Sequence, residues 1–495
     1  MRVRLMHPDR AANMSTGPLL ETADLARDLG LGDVADLMGG GDPYVREVAW
    51  RSLQRPLLGP DGIAWRHAVI ADAVGDPAAI RELYDLATHA LAARAGVRTW
   101  RLSDTPASVV DDGIGVLRAL LGPLRRLRGF ADAHAAGFSS GGLSGIVADA
   151  AAALPDAWFD RAEDQLRRLR FADGVVLTGR LGSAPLLADL VLRTPTGGKR
   201  SWLDSLTRRP DVFSCTVGDE DAAGLRSLGD LRSRGLAPVA QVLSRASEHL
   251  LGFFAQLRWE SAFYLGCLTL RERLVGLGLP TVLPEVREAG ELDARGLYDV
   301  GLAGRSAATV VGSDLAANGA SLIVVTGANR GGKSTLLRAL GLAQVMMQAG
   351  VFVGAAEFRA SVVPAVHTHF RREEDETLRS GKLDEELTRM SAIVDRAAPG
   401  DLVLLNESFA STNDVEGARI LRHVVAGLTG AGLRVVCVTH LHEFSRALSA
   451  QGRPDALFLR AERLDDGRRT FRIVPGDPRP TSHGEDIWAA VMGES

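Results

Sequence analysis

Eight consecutive residues constrain this chain more tightly than any other stretch: Gly327, Ala328, Asn329, Arg330, Gly331, Gly332, Lys333 and Ser334. They complete a GxxxxGK[ST] pattern, with the apolar run Leu322–Val325 before it and a helical pattern after it. A glycine-rich turn between a strand and a helix lets successive backbone amides face one point, and the helix adds the positive end of its dipole. Several donors then converge on a dense negative charge. The pattern predicts a phosphate-binding loop in an α/β layer, with Lys333 reaching the β and γ phosphates of a nucleotide and Ser334 offering its hydroxyl to Mg²⁺. Thr335 is a second candidate for that hydroxyl. The bland alternative, a mere tight connection, suits shorter glycine motifs better than one with every signature position filled.

A second apolar run, Leu402–Leu405, ends in Asn406 and Glu407. This is the form of a Walker B strand, except that asparagine stands where aspartate is usual. A carboxylate there holds the Mg²⁺ shell by charge, whereas an amide oxygen accepts from a metal-bound water and brings no charge. Glu407 remains the candidate to position an attacking water. His440 follows the run Val435–Val438 and Thr439, where a histidine can sense a γ-phosphate, although a lone histidine at a strand end is more often structural. His367 and His369 flank one residue in a strand-like run and share a face. With no third ligand nearby in sequence, a structural role is preferred to a metal site. The charge run Arg371–Glu376 reads as a solvated loop.

From Ser321 onward, short apolar runs alternate with helical stretches, as in a mostly parallel sheet flanked by helices. Upstream the texture is helical, over Pro18–Leu37, Val45–Leu53, Ile63–Val74, Pro77–Arg94, Ala107–Ala131 and Ala222–Val275. Turn residues at 39–43 and 276–280 interrupt it, and Gly174–Gly179 and Leu187–Arg193 read as short inserted strands. The expected organisation is a helical segment over 1–43, a helical domain over 44–304 and an α/β domain over 305–495.

Composition excludes several classes. An apolar share of 46% and a charged share of 24% exclude disordered and fibrous chains. A net charge of −4 leaves no overall basic field, so any nucleic-acid contact requires a local patch. Cys215, Cys267 and Cys437 are far apart and odd in number, which argues against a disulfide framework or zinc knuckle and predicts buried thiols. No apolar stretch is long enough to cross a bilayer, and Met1–Ser15 lacks the apolar core of a secretory signal. The expectation is a cytoplasmic protein without a membrane partner.

Longer strings carry a family likeness. TGANRGGKST at 326–335 resembles the phosphate loop of the MutS family of DNA mismatch repair ATPases, TGPNxGGKST. NESFASTNDVEG at 406–417 is similar to that family's DEIGRGTSTYDG, and Val438, Thr439 and His440 resemble its ATH switch. Phe471, then Ser482, His483 and Gly484 with the helical run Asp486–Val491, resemble its closing strand and helix. The likeness is strong over Asp314–Val491. It is fainter over Tyr44–Val275, where Leu53–Leu57 with Ile63 and Arg66 looks like the start of the family's core helical domain.

The resemblance implies a P-loop ATPase domain preceded by a largely α-helical, lever-like domain. ATP would be cradled by Gly327–Thr335 and Asn406 with Mg²⁺ on Ser334, and Lys333, Glu407 and His440 would carry hydrolysis. It also implies a homodimer, because Ser380, Gly381, Lys382 and Glu386 fall in the segment that the family contributes to the opposite subunit's nucleotide. Dimer closure would move the helical levers, and duplex or branched DNA is the implied partner. Arg118–Arg128 and Arg161–Arg170 offer phosphate contacts, or equally are solvated helix faces. The departures are Asn406, the aliphatic Val310 where the family often stacks an aromatic on adenine, and the lack of a Phe-x-Glu reading motif. A short relative without a mismatch-recognition domain is expected. Two readings stand at this point: a DNA-dependent ATPase of repair or recombination, or a nucleotide-dependent protein scaffold with little hydrolysis, which Asn406 favours.

Overall fold

The computed structural model describes residues 1–9, 23–96, 105–171, 175–181, 187–193, 216–218, 220–305, 310–328, 330–372, 381–464 and 468–478. The chain begins with α1 (Ala23–Leu29), α2 (Leu31–Gly39), α3 (Pro43–Leu53) and α4 (Pro60–Gly75). Then come α5 (Pro77–Gly96), α6 (Pro106–Ala133), α7 (Gly141–Ala153), α8 (Asp156–Arg168), the strands β1 (Val176–Leu181) and β2 (Leu187–Arg193), and α9 (Ala222–Gly276). Two compact units form. One comprises Met1–Val3, Arg81–Phe138 and Leu143–Trp259; the other comprises Arg4–Ile80, Ser139–Gly142 and Glu260–Ser495.

Among the described residues the first unit is helical apart from the β1–β2 pair, which is antiparallel from Val176↔Arg193 to Leu181↔Leu187. The α6 helix starts where Thr105 accepts from the Ser108 amide and Pro106 supplies a preset first-turn φ. Ile114, Leu120, Leu124 and Leu127 recur at helical spacing and are buried. Gly113 marks the closest crossing, because a Cβ there would lie 2.8 Å from Cβ of Leu243 in α9. Many arginines of the two basic stretches are used internally. Arg125 pairs with Glu163 at 2.6 Å, Arg128 with Asp132 at 2.9 Å and Arg168 with Asp164 at 2.8 Å.

The second unit holds two sheets. β3 (Glu285–Arg287), β4 (Leu292–Leu297), α10 (Val300–Arg305) and β5 (Ser313–Ala316) come first, followed by β6 (Leu322–Thr326) and α11 (Lys333–Gln348). The chain continues through β7 (Glu357–Ser361), β8 (Val366–Phe370), α12 (Lys382–Val394), β9 (Leu402–Asn406), α13 (Asp414–Gly430) and β10 (Arg434–Val438). It closes, among the described residues, with α14 (His442–Ser449), β11 (Ala456–Arg463) and β12 (Arg469–Pro475). The larger sheet runs β12-β11-β6-β10-β9-β8, parallel except for the edge strand β12, and the smaller runs β3-β7-β4-β5. Side chains alternate across the larger sheet. Leu322, Val324, Val403, Leu405, Val435 and Cys437 join one core with Leu421 and Val425 of α13 and Phe444 of α14. On α11, Gly341 permits close packing, since a Cβ there would meet Leu29 of α1 and Leu404 of β9 at 2.6 Å each.

Polar groups fasten α11 where apolar packing alone would let it slide. Buried Gln344 donates to the Gln348 side chain at 2.8 Å and to the Ser361 carbonyl at 2.9 Å, and Gln348 donates to the Val363 carbonyl at 2.9 Å. At the helix end, the buried Arg66 of α4 donates to the carbonyls of Ala349 at 2.6 Å and Met6 at 3.2 Å, with its guanidinium over the Phe263 ring. The amino-terminal stretch is anchored to α9 as well. Glu260 accepts from the amides of Leu5 at 2.6 Å and Met6 at 2.9 Å, and Tyr264 donates its hydroxyl to the Leu5 carbonyl.

Two stability predictions follow from these contacts. Arg66→Met keeps most of the apolar stem but leaves buried carbonyls without their donor, so it costs about 2–4 kcal/mol. Urea titration reads this as a lower midpoint, and an unchanged midpoint would show that other donors replace the guanidinium. Burial pulls His67 down from the ordinary 6.5 to about 4. Between those pH values the unfolded chain binds the proton and the folded chain does not, so this group's contribution is lost as pH falls through that window. His67→Phe therefore flattens the acid side of the stability–pH curve between about pH 6.5 and 4, as measured by urea midpoints at successive pH values.

Candidate functional site

The parallel strands bring the sequence-predicted residues to one edge. Val438 of β10 is level with Val325 of β6 and Asn406 of β9, and Phe370 of β8 is level with Asn406. The loops that leave these strands therefore meet beyond their carboxyl ends, where open α/β sheets place ligands. Gly327–Ser334 follow β6, Glu407 follows β9, His440 follows β10, and Arg371 follows β8.

Three close approaches require glycines in the loop after β6. Gly327, at φ 116°, would place a Cβ 2.9 Å from the Ala461 amide nitrogen of β11, and a Cβ on Gly331 would meet the Ala328 carbonyl at 2.9 Å. Gly332, at φ 93°, would place one 2.8 Å from the main-chain oxygen of Phe471 in β12. Arg330 adopts a left-handed φ of 60°. Gly332 is also the amino-terminal cap of α11 and brings no side chain to it, so the first amides of that helix are left for another acceptor. Asn329 lies outside the described residues.

Lys333 is 4% exposed and donates to the carbonyls of Gly327 at 2.8 Å and Ala328 at 3.1 Å. Burial lowers its pKa, and the Glu407 carboxylate opposes that shift. An ammonium kept this close to a turn of main-chain amides suits a polyanion. Ser334 donates to Oδ1 of Asn406 at 2.8 Å, so the two oxygen groups expected at a metal face one another, one from the first turn of α11 and one from the end of β9. Both are neutral oxygen donors, which fits Mg²⁺ only where phosphate oxygens supply the negative charge.

Glu407 sits at the centre of the edge. Its amide donates to the Val438 carbonyl at 2.8 Å, and its carboxylate lies 3.9 Å from both Nδ1 of His440 and the Arg371 guanidinium. It holds a left-handed φ of 53°, as does Phe409 at 60°. A cavity of about 210 Å³ adjoins the loop, walled by Tyr298, Val310, Val311, Thr335, Leu336 and Phe471. Aromatic rings thus stand beside the aliphatic Val310.

The described part of the trans segment lies on α12 and just before it. Gly381 and Lys382 are exposed, whereas Glu386 is buried and accepts from the Ser411 hydroxyl at 2.7 Å. Desolvation raises the pKa of Glu386. Ser380, Ser482, His483, Gly484 and the run from Asp486 lie outside the described residues, as do Cys215 and 373–376 of the charge run. Arg372, at the start of that run, pairs with Glu385 and Asp24 at 2.6 Å each.

The histidines of β8 have separate structural partners. His367 meets Asp401 at 3.0 Å, while His369 meets the Ser408 hydroxyl at 2.7 Å and the Glu386 carbonyl at 3.0 Å. Among the described residues no three His, Cys, Asp or Glu groups gather as a metal site. Cys267 and Cys437 are buried free thiols, with burial pushing Cys437 up to about 12. The contact of His369 with the residue after Glu407 was not visible in the sequence. Strand alternation puts His369 on one face, but only the β8–β9 register shows what that face meets.

Two family models match in chain order: one described as the MutS2 N-terminal domain over residues 59–277, and one described as MutS domain V over 323–487. Endonuclease MutS2 of Carboxydothermus hydrogenoformans is 30% identical over 125 residues, 25% of this chain and 16% of that protein. DNA mismatch repair protein MutS 2 of Halobacterium salinarum is 34% identical over 167 residues, 33% of this chain and 19% of that protein. The probable DNA mismatch repair protein Msh6 of Drosophila melanogaster is 36% identical over 126 residues, 26% of this chain and 11% of that protein. The matched stretches span less than a fifth of these relatives' own length. A largely helical region that matches the first model is followed by an α/β region that matches the second, and the chain is a MutS-related protein.

Proposed function

We propose that this chain is a DNA-dependent ATPase of repair or recombination that works as a homodimer, with the ATPase domain over 305–495 and a helical lever domain over 44–304. The observation that supports this most directly is the convergence of Lys333, Ser334, Asn406, Glu407 and His440 at one sheet edge. In this reading Gly327–Thr335, including Asn329 and Arg330, cradle the phosphates, and Lys333 turns from its carbonyl partners to the γ-phosphate. Ser334 would hold Mg²⁺ and Asn406 would accept from a water of its shell, and the ion, when bound, would neutralise phosphate charge. Glu407 orients a water and takes its proton as the oxygen bonds to the γ-phosphorus and the bond to the β-phosphate oxygen breaks. His440, beside Glu407, senses the γ-phosphate.

Ser380, Gly381, Lys382 and Glu386 would serve the partner subunit's nucleotide. Closure then follows from a higher affinity of ATP for the paired state. The cavity beside Phe471 and Val310 would receive the base. DNA phosphates would meet the exposed arginines of α6 and α8, such as Arg126 and Arg161. The relatives' names, which include mismatch repair proteins and endonucleases, support DNA as the substrate class.

The Ser334–Asn406 contact favours a second reading. With no carboxylate on the metal hydroxyl, binding without turnover would leave a nucleotide-switched scaffold that recruits a protein partner. Mg²⁺-dependent turnover, with and without duplex or branched DNA, separates the two. Lys333→Ala is expected to abolish ATP binding, and Glu407→Gln to keep binding but slow turnover by about 100-fold or more. Wild-type protein that binds ATP and dimerises without turnover would overturn the motor reading in favour of the scaffold. Asn406→Asp restores a charge to the metal shell and should lower the Mg²⁺ requirement by about tenfold, a gain of about 1.4 kcal/mol. An unchanged Mg²⁺ titration would place the metal elsewhere.

A further inference from the structure

Two non-glycine residues in left-handed conformation flank Ser408, namely Glu407 at φ 53° and Phe409 at φ 60°. Such a conformation is strained for a residue that carries a Cβ and persists only where neighbours over-determine it. The neighbours here are specific. Ser408 is 1% exposed, and its hydroxyl lies 2.7 Å from Nδ1 of His369 and 3.0 Å from the His369 carbonyl. Nε2 of the same ring faces the main-chain oxygen of Glu386 at 3.0 Å. A carbonyl can only accept, so Nε2 carries the proton; Nδ1 then accepts the single Ser408 hydroxyl proton at 2.7 Å, the shorter of the two contacts between which that proton must choose. The ring also stacks on Phe409 at 5.5 Å. From α12, the Glu386 carboxylate accepts from the Ser411 hydroxyl at 2.7 Å.

We propose that His369 is a positioning residue for Glu407: its imidazole, set between α12 and the Ser408 hydroxyl, fixes the turn that aims the Glu407 carboxylate. The proposal rests on the reading of Glu407 as the water-orienting group. His369 is 0% exposed and acts only through Ser408. Burial holds the ring neutral, which keeps Nδ1 an acceptor at neutral pH. The device also ties Glu407 to α12, the helix assigned above to the opposite subunit's nucleotide. A displacement of α12 at the dimer interface reaches Glu407 through one imidazole.

The test uses the full chain with His369→Gln, His369→Asn and Ser408→Ala, measuring steady-state turnover, affinity for a non-hydrolysable ATP analogue and amide exchange over 406–412. Asparagine can present an amide oxygen near the Nδ1 position, whereas glutamine's amide lies farther out. Expected are a fall in kcat of about 10- to 100-fold for His369→Gln and Ser408→Ala, analogue affinity within about twofold of wild type, and recovery of most turnover in His369→Asn. Unchanged kcat in the first two variants would overturn the proposal, as would parallel losses of kcat and analogue affinity. If wild-type protein shows no turnover, the Glu407 reading fails by itself, and exchange then decides. Faster exchange at 407–409 in His369→Gln alone supports the positioning role, and unchanged exchange refutes it.

Discussion

The register of four parallel strands underlies the rest of the candidate site. Because β6, β10, β9 and β8 end level with one another, the loops that leave them emerge at one height. Lys333, Asn406, Glu407 and His440 stand up to 107 positions apart in sequence and are neighbours only through this alignment. A slip of one residue in any strand would exchange its core and opposite faces and withdraw its loop from the edge. Burial guards against that. The strand side chains from Leu322 to Val325 and from Leu402 to Leu405 are at most 2% exposed; Leu322, Val324, Val403 and Leu405 share a core with α13 and α14, and Leu404 approaches α11 at Gly341.

Against this fixed sheet, α11 is held by polar contacts at its far end. The Gln344–Gln348 pair and Arg66 satisfy carbonyls in a region otherwise apolar, and each bond specifies one axial position for the helix. The phosphate loop is continuous with that helix. Its amides are therefore placed by contacts 11 to 16 residues away, roughly three to four and a half turns along the helix. The same scheme appears at Glu407, whose backbone is dictated by a histidine on one neighbouring strand and by a glutamate on a helix.

Much of the candidate site was legible because its signals are local. The glycine loop, the Leu402–Leu405 run and the placement of His440 depend on spacing within a few residues, and the helices of 43–133 and 222–276 announce themselves by periodicity and turn residues. Long-range pairing was not legible. The smaller sheet, β3-β7-β4-β5, is built from strands of only three to six residues, too short for alternation to announce them. Nothing local to Leu5 indicates that its amide is held by Glu260, 255 positions away. His367 and His369 show the same limit, since alternation put them on one face while their separate partners follow from tertiary packing.

The approach of β12 to Gly332 bears on how this protein can change over time. The obstacle that a side chain at position 332 would meet is the main-chain oxygen of Phe471, 2.8 Å from the Cβ position, rather than any side chain. No substitution at 471 removes a peptide oxygen. A genetic screen for second-site suppressors of Gly332→Ala would thus find none at the contacting residue. Relief would come only from insertions or deletions that shift the path of β12, and positions 332 and 471 would show no residue-by-residue covariation among homologues despite touching.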